Sequence, residues 1–246
     1  MPSINQSGGD KGKRERAPRP DGSLIVIGYG TGTQAGDAAL HKLAAVLARR
    51  RIFVGVRAAV LRGGPSLAAA AQAATAGPIR LLPFLMGGGM TFGQHLGEAM
   101  AGISWPEKPL LYPPLSLNPG LAELAARHAE TAAGVLSWPV PDSHMLLIAH
   151  GTLRKPATSE AARMHQTRLA AQNQFAGVTV AFLDQPPYLD IILSGHGGPL
   201  LGVGLFAGER QHGAQDMARA FAKASCPAHI CGAIGGDNGL PLTMQA

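Results

Sequence analysis

The chain has 246 residues, of which 46% are apolar and only 15% charged, with a formal net charge of +6. That composition excludes a disordered chain, and no apolar run reaches the roughly 18 residues needed to cross a bilayer, so no membrane partner is expected. Two cysteines, Cys226 and Cys231, are too few for a disulfide-framed secreted domain, so reduced thiols and a cytoplasmic location are expected.

From the N-terminus, residues 1–22 read as a disordered basic tail: they are polar, rich in Gly and Pro, and lack the apolar core of a secretory signal. Five basic against three acidic residues give this tail about +2 of the net +6. The remainder is mildly basic, which suits an anionic small molecule and equally suits plain solubility. No basic stretch is interleaved with aromatics, so nucleic acid is not an expected partner.

A buried strand at 24–27 runs into Gly28-Tyr29-Gly30-Thr31. Leu40, Leu43 and Leu47 follow at helical spacing, then a strand near 56–61 and a helical stretch at 65–76. An apolar strand at 79–86 ends in glycines 87–89 and Met90. A helix is expected at 93–100 and a short strand at 109–112. Asn118-Pro119 is a helix start, with Asn as cap and Pro in the first helical position, opening a helix over 119–135. Residues 137–143 form a Pro-containing linker. In the second half, a strand at 145–149 ends in His150-Gly151-Thr152, with strands at 178–183 and 228–231 and a helix at 214–223.

The second half repeats the first. Gly30 aligns with Gly151 at an offset of 121 residues, Leu61 with Leu183 at 122, and Gly88 with Gly208 at 120. Strands alternating with helices in each half predict an α/β protein of two similar lobes, each a parallel sheet flanked by helices. The expected domains are 23–136 and 144–246, joined by the linker. Ligands of such sheets bind beyond the carboxyl ends of the strands, where both sets of glycine turns lie.

A strand ending in His-Gly-Thr, followed by an apolar strand ending in glycine shortly before a His and an acidic residue, resembles the sirohydrochlorin cobaltochelatase and ferrochelatase family. Its long members carry two fused copies of this unit, and the resemblance covers about residues 23–246. It implies an ATP-independent lyase of cobalamin or siroheme biosynthesis that inserts a divalent metal into sirohydrochlorin or a related anionic tetrapyrrole. Co²⁺ is favoured and Fe²⁺ is the second choice; the metal is a substrate, and neither ATP nor a nicotinamide is required. A monomer or a homodimer is expected. In the family, two histidines at strand ends bind the metal and help remove the pyrrole protons, which suits neutral imidazole.

Here the first half has Tyr29 and Met90 where the family has those histidines. In the second half His150 matches the first position. Arg210 stands at the second, and His212, two residues on and four before Asp216, is the equivalent if two residues are inserted. His150 and His212 are therefore the expected metal ligands, with Glu209 as alternate ligand or base. Tyr29, Gly30, Gly88, Gly89, Met90, Gly151, Thr152 and Gly208 are the expected substrate contacts. Arg154, Lys155 and Arg210 would supply charge to the substrate carboxylates. One productive site is expected, with the first lobe as a wall.

Each assignment has a structural rival. His150 could simply end a strand, and His212 could be a solvated helix-start residue. His196, in a similar Gly-rich context, is a less favoured alternative. His95, His41, His128 and His165 read as helix-surface residues. Cys226, His229 and Cys231 supply three donors, but on a strand they would not converge, so buried thiols are expected. The glycine turns lack the full dinucleotide fingerprint and the P-loop lysine, and no nucleophile elbow marks a hydrolase. A non-catalytic tetrapyrrole- or metal-binding paralogue is the alternative to a chelatase.

Overall fold

The computed structural model describes residues 21–33, 37–74, 77–84, 91–152, 157–206 and 212–236. Two four-stranded parallel sheets form, as the repeat predicts. The first contains β1 (Ser23–Gly28), β2 (Gly55–Val60), β3 (Ile79–Pro83) and β4 (Leu110–Leu111) in the order β2-β1-β3-β4. The second contains β5 (His144–Ala149), β6 (Gly177–Phe182), β7 (Leu200–Gly204) and β8 (Ala228–Ala233) in the order β6-β5-β7-β8. In both, the chain leaves the first strand on one side and returns on the other. The connections diverge at the carboxyl ends of β1 and β3, and of β5 and β7, which is where a crevice opens in such sheets.

Side-chain alternation along the central strands sorts residues into separate cores. Ile25 and Ile27 pack with α2 (Leu67–Gln72) and α3 (Leu96–Ala101) on one face of the first sheet. Leu146 and Ile148 pack with α6 (Leu189–Gly195) and α7 (His212–Phe221) on one face of the second. Leu24 and Val26 of β1, with Met145, Leu147 and Ala149 of β5, face a third core shared by α1 (Ala38–Arg49), α4 (Gly120–Leu136) and α5 (Ala157–Ala170). Both faces of each sheet are covered, which explains why these strands read as unbroken apolar runs.

The helix expected at 119–135 is α4, and Asn118 caps it: its Oδ1 accepts from the Gly120 N–H at 2.9 Å. Although α4 follows the first sheet in sequence, it packs on β7, β8 and α5 of the second. Ala122, Ala125, Ala129 and Ala133 are buried along its face, and such small side chains let the helix lie close to the strands. An Arg168–Glu123 pair at 2.8 Å, about half exposed, links α5 to α4.

Three expectations change. Residues 1–20 of the expected tail lie outside the described residues, but its last two are fixed. Arg80 donates to the Asp21 carbonyl at 2.9 Å and to the Asp21 carboxylate at 2.8 Å, and the Val54 N–H donates to the Gly22 carbonyl. His165 is buried, not exposed, because it lies three residues after Ala162 and four before Leu169 on the inward stripe of α5. Its Nε2 sits 2.8 Å from the Ser116 carbonyl, so the neutral ring donates there. His128 is half-buried, with Nδ1 3.1 Å from the Cys231 carbonyl oxygen, whereas His41 is exposed as expected.

Burial lowers the pKa of His165 and of His144 below the ordinary imidazole value. The unfolded chain therefore takes up protons that the native state resists once the pH falls below about 6.5, and stability is lost in that window. Chemical denaturation should give a lower midpoint near pH 5.5 than near pH 7.5. His165→Gln, which keeps an N–H donor for Ser116, should flatten that difference; an unchanged pH dependence contradicts the assignment.

Candidate functional site

The two halves build the same backbone arrangement at the end of their first strand. In the first, the Leu61 and Arg62 N–H groups donate to the Gly28 and Tyr29 carbonyls at 3.0 and 2.8 Å. In the second, the Leu183 N–H donates to the Ala149 and His150 carbonyls, both at 3.1 Å, and the Asp184 N–H to the His150 carbonyl at 2.9 Å. On the other side, the Phe84 N–H reaches the Ile27 carbonyl and the Leu205 N–H the Ile148 carbonyl, both at 2.7 Å.

Glycine follows in each half because the turn needs positive φ: +93° at Gly30 and +70° at Gly151. A Cβ at Gly30 would collide with the Arg62 carbonyl oxygen, and one at Gly151 would lie 2.5 Å from Gln185 Cγ. The turn therefore lies too close to the residues after β2 or β6 to admit a side chain.

His150 is half-buried and leads out of β5, its ring edge-on to Phe206 at 5.1 Å between centroids. Asp184, joined to it through the backbone, is exposed, and its carboxylate has no hydrogen-bond or ion-pair partner among the described residues. Sequence reasoning missed Asp184. The signal was present, since it follows Leu183 as Arg62 follows Leu61, but the search at these strand ends was for histidine. Gln185, only 8% exposed, accepts from the Thr152 N–H at 2.7 Å. That N–H is therefore occupied and is not offered to a substrate carboxylate.

In the first half Tyr29 is 37% exposed. The Arg62 guanidinium lies over its ring at 5.3 Å, and the His95 ring lies 5.9 Å away. His95 was expected on a helix surface. It is instead half-buried at the end of a π-helical turn (Thr91–His95) leading into α3, with Nδ1 enclosed. Beside this cluster, Gly32, Thr33, Asp37, His41 and the 63–65 turn line a cavity of about 350 Å³.

Several expected residues lie outside the description. Gly88, Gly89, Met90, Gly208, Glu209, Arg154, Lys155 and Arg210 fall outside the described residues, and His212 is described only as the first residue of α7. Among the described residues no three His, Cys, Asp or Glu side chains group closely enough to hold a metal.

His196 is not a site residue. It pairs with His144, at 4.7 Å between ring centroids, at the opposite end of β5 from His150. A six-residue strand puts about 20 Å between those ends. The thiols separate as expected: Cys231 borders the shared core and Cys226 the α6–α7 core, and burial pushes the Cys231 thiol up to about 12. No described helix is long and apolar enough to cross a membrane.

Replacing Gln185 by Leu removes the acceptor for the Thr152 N–H and loosens the turn that carries His150. A loss of about 1–3 kcal/mol in unfolding free energy is expected in chemical denaturation; an unchanged unfolding free energy would show that this bond does not hold the turn.

No protein-family model matches the chain, and no curated protein does. Solved structures do match. CbiX, described as the terminal enzyme for biosynthesis of siroheme in denitrifying bacteria, is 26% identical with a TM-score of 0.75, over 91% of this chain and 96% of that one. DR2241 from Deinococcus radiodurans, a multi-domain protein with structural similarity to chelatases, is 19% identical with a TM-score of 0.76, over 93% of this chain and 54% of that one. SirB from Bacillus subtilis, solved with Fe³⁺, is 13% identical with a TM-score of 0.71, over 91% and 92%. The chain thus has the two-lobed α/β fold of the chelatases, and the likeness to the sirohydrochlorin chelatase family carried by its strand-end turns extends over about nine-tenths of its length.

Proposed function

We propose that the chain is a metal chelatase that places a divalent ion into sirohydrochlorin or a related carboxylated tetrapyrrole, with the reacting site at the end of β5. The observation that carries this reading is His150 at the point where the connections of the second sheet diverge, backbone-bonded to Asp184, whose carboxylate has no partner among the described residues. The overlay on CbiX across nearly both full lengths supports it. Co²⁺ is preferred to Fe²⁺ on the form of the sequence resemblance.

Insertion exchanges one dication for two pyrrole N–H protons. The site must hold the ion weakly enough to release it and must supply a base. Neutral imidazole is a good ligand for first-row divalent ions and accepts a proton near neutral pH. His150 holds the ion until the macrocycle nitrogens take it; the imidazole lone pair freed in that transfer then accepts one pyrrole proton, and solvent reached through Asp184 accepts the other. Asp184, exposed to solvent, offsets the charge of the ion and passes protons outward. An open set of two or three donors suits a transient ion better than a closed tetrahedral cage. His212, with Glu209 as alternate, completes that set. Tyr29, Gly30, Gly88, Gly89 and Met90 of the first lobe and Gly151, Thr152 and Gly208 of the second contact the macrocycle. No step consumes a nucleotide.

The test is to incubate purified protein with sirohydrochlorin and Co²⁺ and follow the absorption spectrum against the uncatalysed rate. Wild-type protein should accelerate insertion. His150→Ala should lose that acceleration while keeping its circular dichroism and melting temperature, and Asp184→Asn should slow it by about 10²-fold, the usual scale for a proton-transfer group. Unchanged turnover in folded His150→Ala removes His150 from the reaction. Wild-type turnover no faster than background, with Co²⁺ still bound, identifies a binding paralogue instead.

A further inference from the structure

The repeated strand end carries different chemistry in the two lobes. Where the second lobe has His150 and Asp184, an imidazole and a carboxylate, the first has Tyr29 and Arg62 on the same backbone hydrogen bond. The Arg62 guanidinium is exposed and has no acidic partner among the described residues; its contact is the face of the Tyr29 ring, 5.3 Å away. The acidic residue on the neighbouring turn, Asp37, already accepts from the Thr31 N–H at 2.9 Å. His95, on the other side of Tyr29 at 5.9 Å, has an enclosed Nδ1 with no hydrogen-bond partner among the described residues. Among the described residues no carboxylate pairs with this guanidinium, and an unpaired cation attracts an anion in preference to a divalent metal ion.

We infer that the strand end of the first lobe is a carboxylate-binding site, with Arg62 as the gripping residue and the Tyr29 ring as the platform that holds it. A guanidinium stacked on an aromatic ring keeps its N–H fork oriented, and that fork matches the two oxygens of a carboxylate. The ligand class is a polycarboxylate, and its identification with a carboxylated tetrapyrrole rests on the function proposed above. The duplication has then given one protein two unlike uses of one turn: metal and proton handling after β5, and substrate orientation after β1. Arg62 is a positioning residue in this scheme, since it holds the periphery of the macrocycle and not the reacting nitrogens.

The test titrates metal-free sirohydrochlorin into wild-type protein and Arg62→Ala by absorbance, at low and high salt, with Co²⁺ affinity measured separately by calorimetry. Arg62→Ala should bind the macrocycle about 10- to 100-fold more weakly, as expected for loss of a charge-assisted bidentate contact. It should also show a shallower salt dependence and unaltered Co²⁺ affinity. Arg62→Lys, which keeps the charge and loses the fork, should fall between the two. Equal macrocycle affinity in wild type and Arg62→Ala, absence of binding in both included, overturns the carboxylate site, and so does an equal loss of Co²⁺ affinity. Turnover of the wild type is scored independently. If Arg62 governs binding and no insertion occurs, the carboxylate site stands and the chelatase reading fails.

Discussion

One backbone contact organises each half of this molecule. The residue two positions beyond β2 or β6 donates its N–H to the carbonyl of the residue that leaves β1 or β5: Arg62 to Tyr29, and Asp184 to His150. That bond ties two neighbouring strand ends together just where the connections diverge, and in the first lobe the Arg62 guanidinium lies over the Tyr29 ring. The glycine that follows must then turn with positive φ, and no space remains for a Cβ at Gly30 or Gly151. The rest of the fold, with both sheets covered on both faces, keeps those ends in place.

Since the backbone is shared, chemistry is decided by side chains alone. An imidazole and a carboxylate carried on joined strand ends favour a divalent cation and proton transfer; a guanidinium stacked on a phenol ring favours an anion. The two lobes therefore need not be two copies of one site. A single reacting centre with an orienting surface on the other lobe suits a large polyanionic ring, which must be held at its edge while its centre reacts.

Much of this was legible in the residues. Unbroken apolar strands, the repeated turns at Gly30 and Gly151, and Asn118-Pro119 at the start of α4 predict the two parallel sheets and the long helix. What the sequence does not carry is which sheet α4 covers; it lies on β7 and β8. His196 shares the Gly-rich setting of His150 yet lies at the other end of the sheet, because α6 returns the chain across it before β7 begins. His165 is buried through its i−3 and i+4 neighbours on α5, Ala162 and Leu169, a signal weakened by the polar residues around it. Asp184 and Arg62 escaped notice because neither belongs to the histidine pattern; only the repeat, read one residue beyond Leu61 and Leu183, pairs them.

The central claim is that the duplicated turn binds metal in the second lobe and not in the first. Calorimetric titration of the apo-protein with Co²⁺ tests it most directly. The account predicts one ion bound per chain, lost in His150→Ala and retained in Tyr29→Ala. Two equivalent ions per chain, or binding that survives loss of His150 but not of Tyr29, would contradict it.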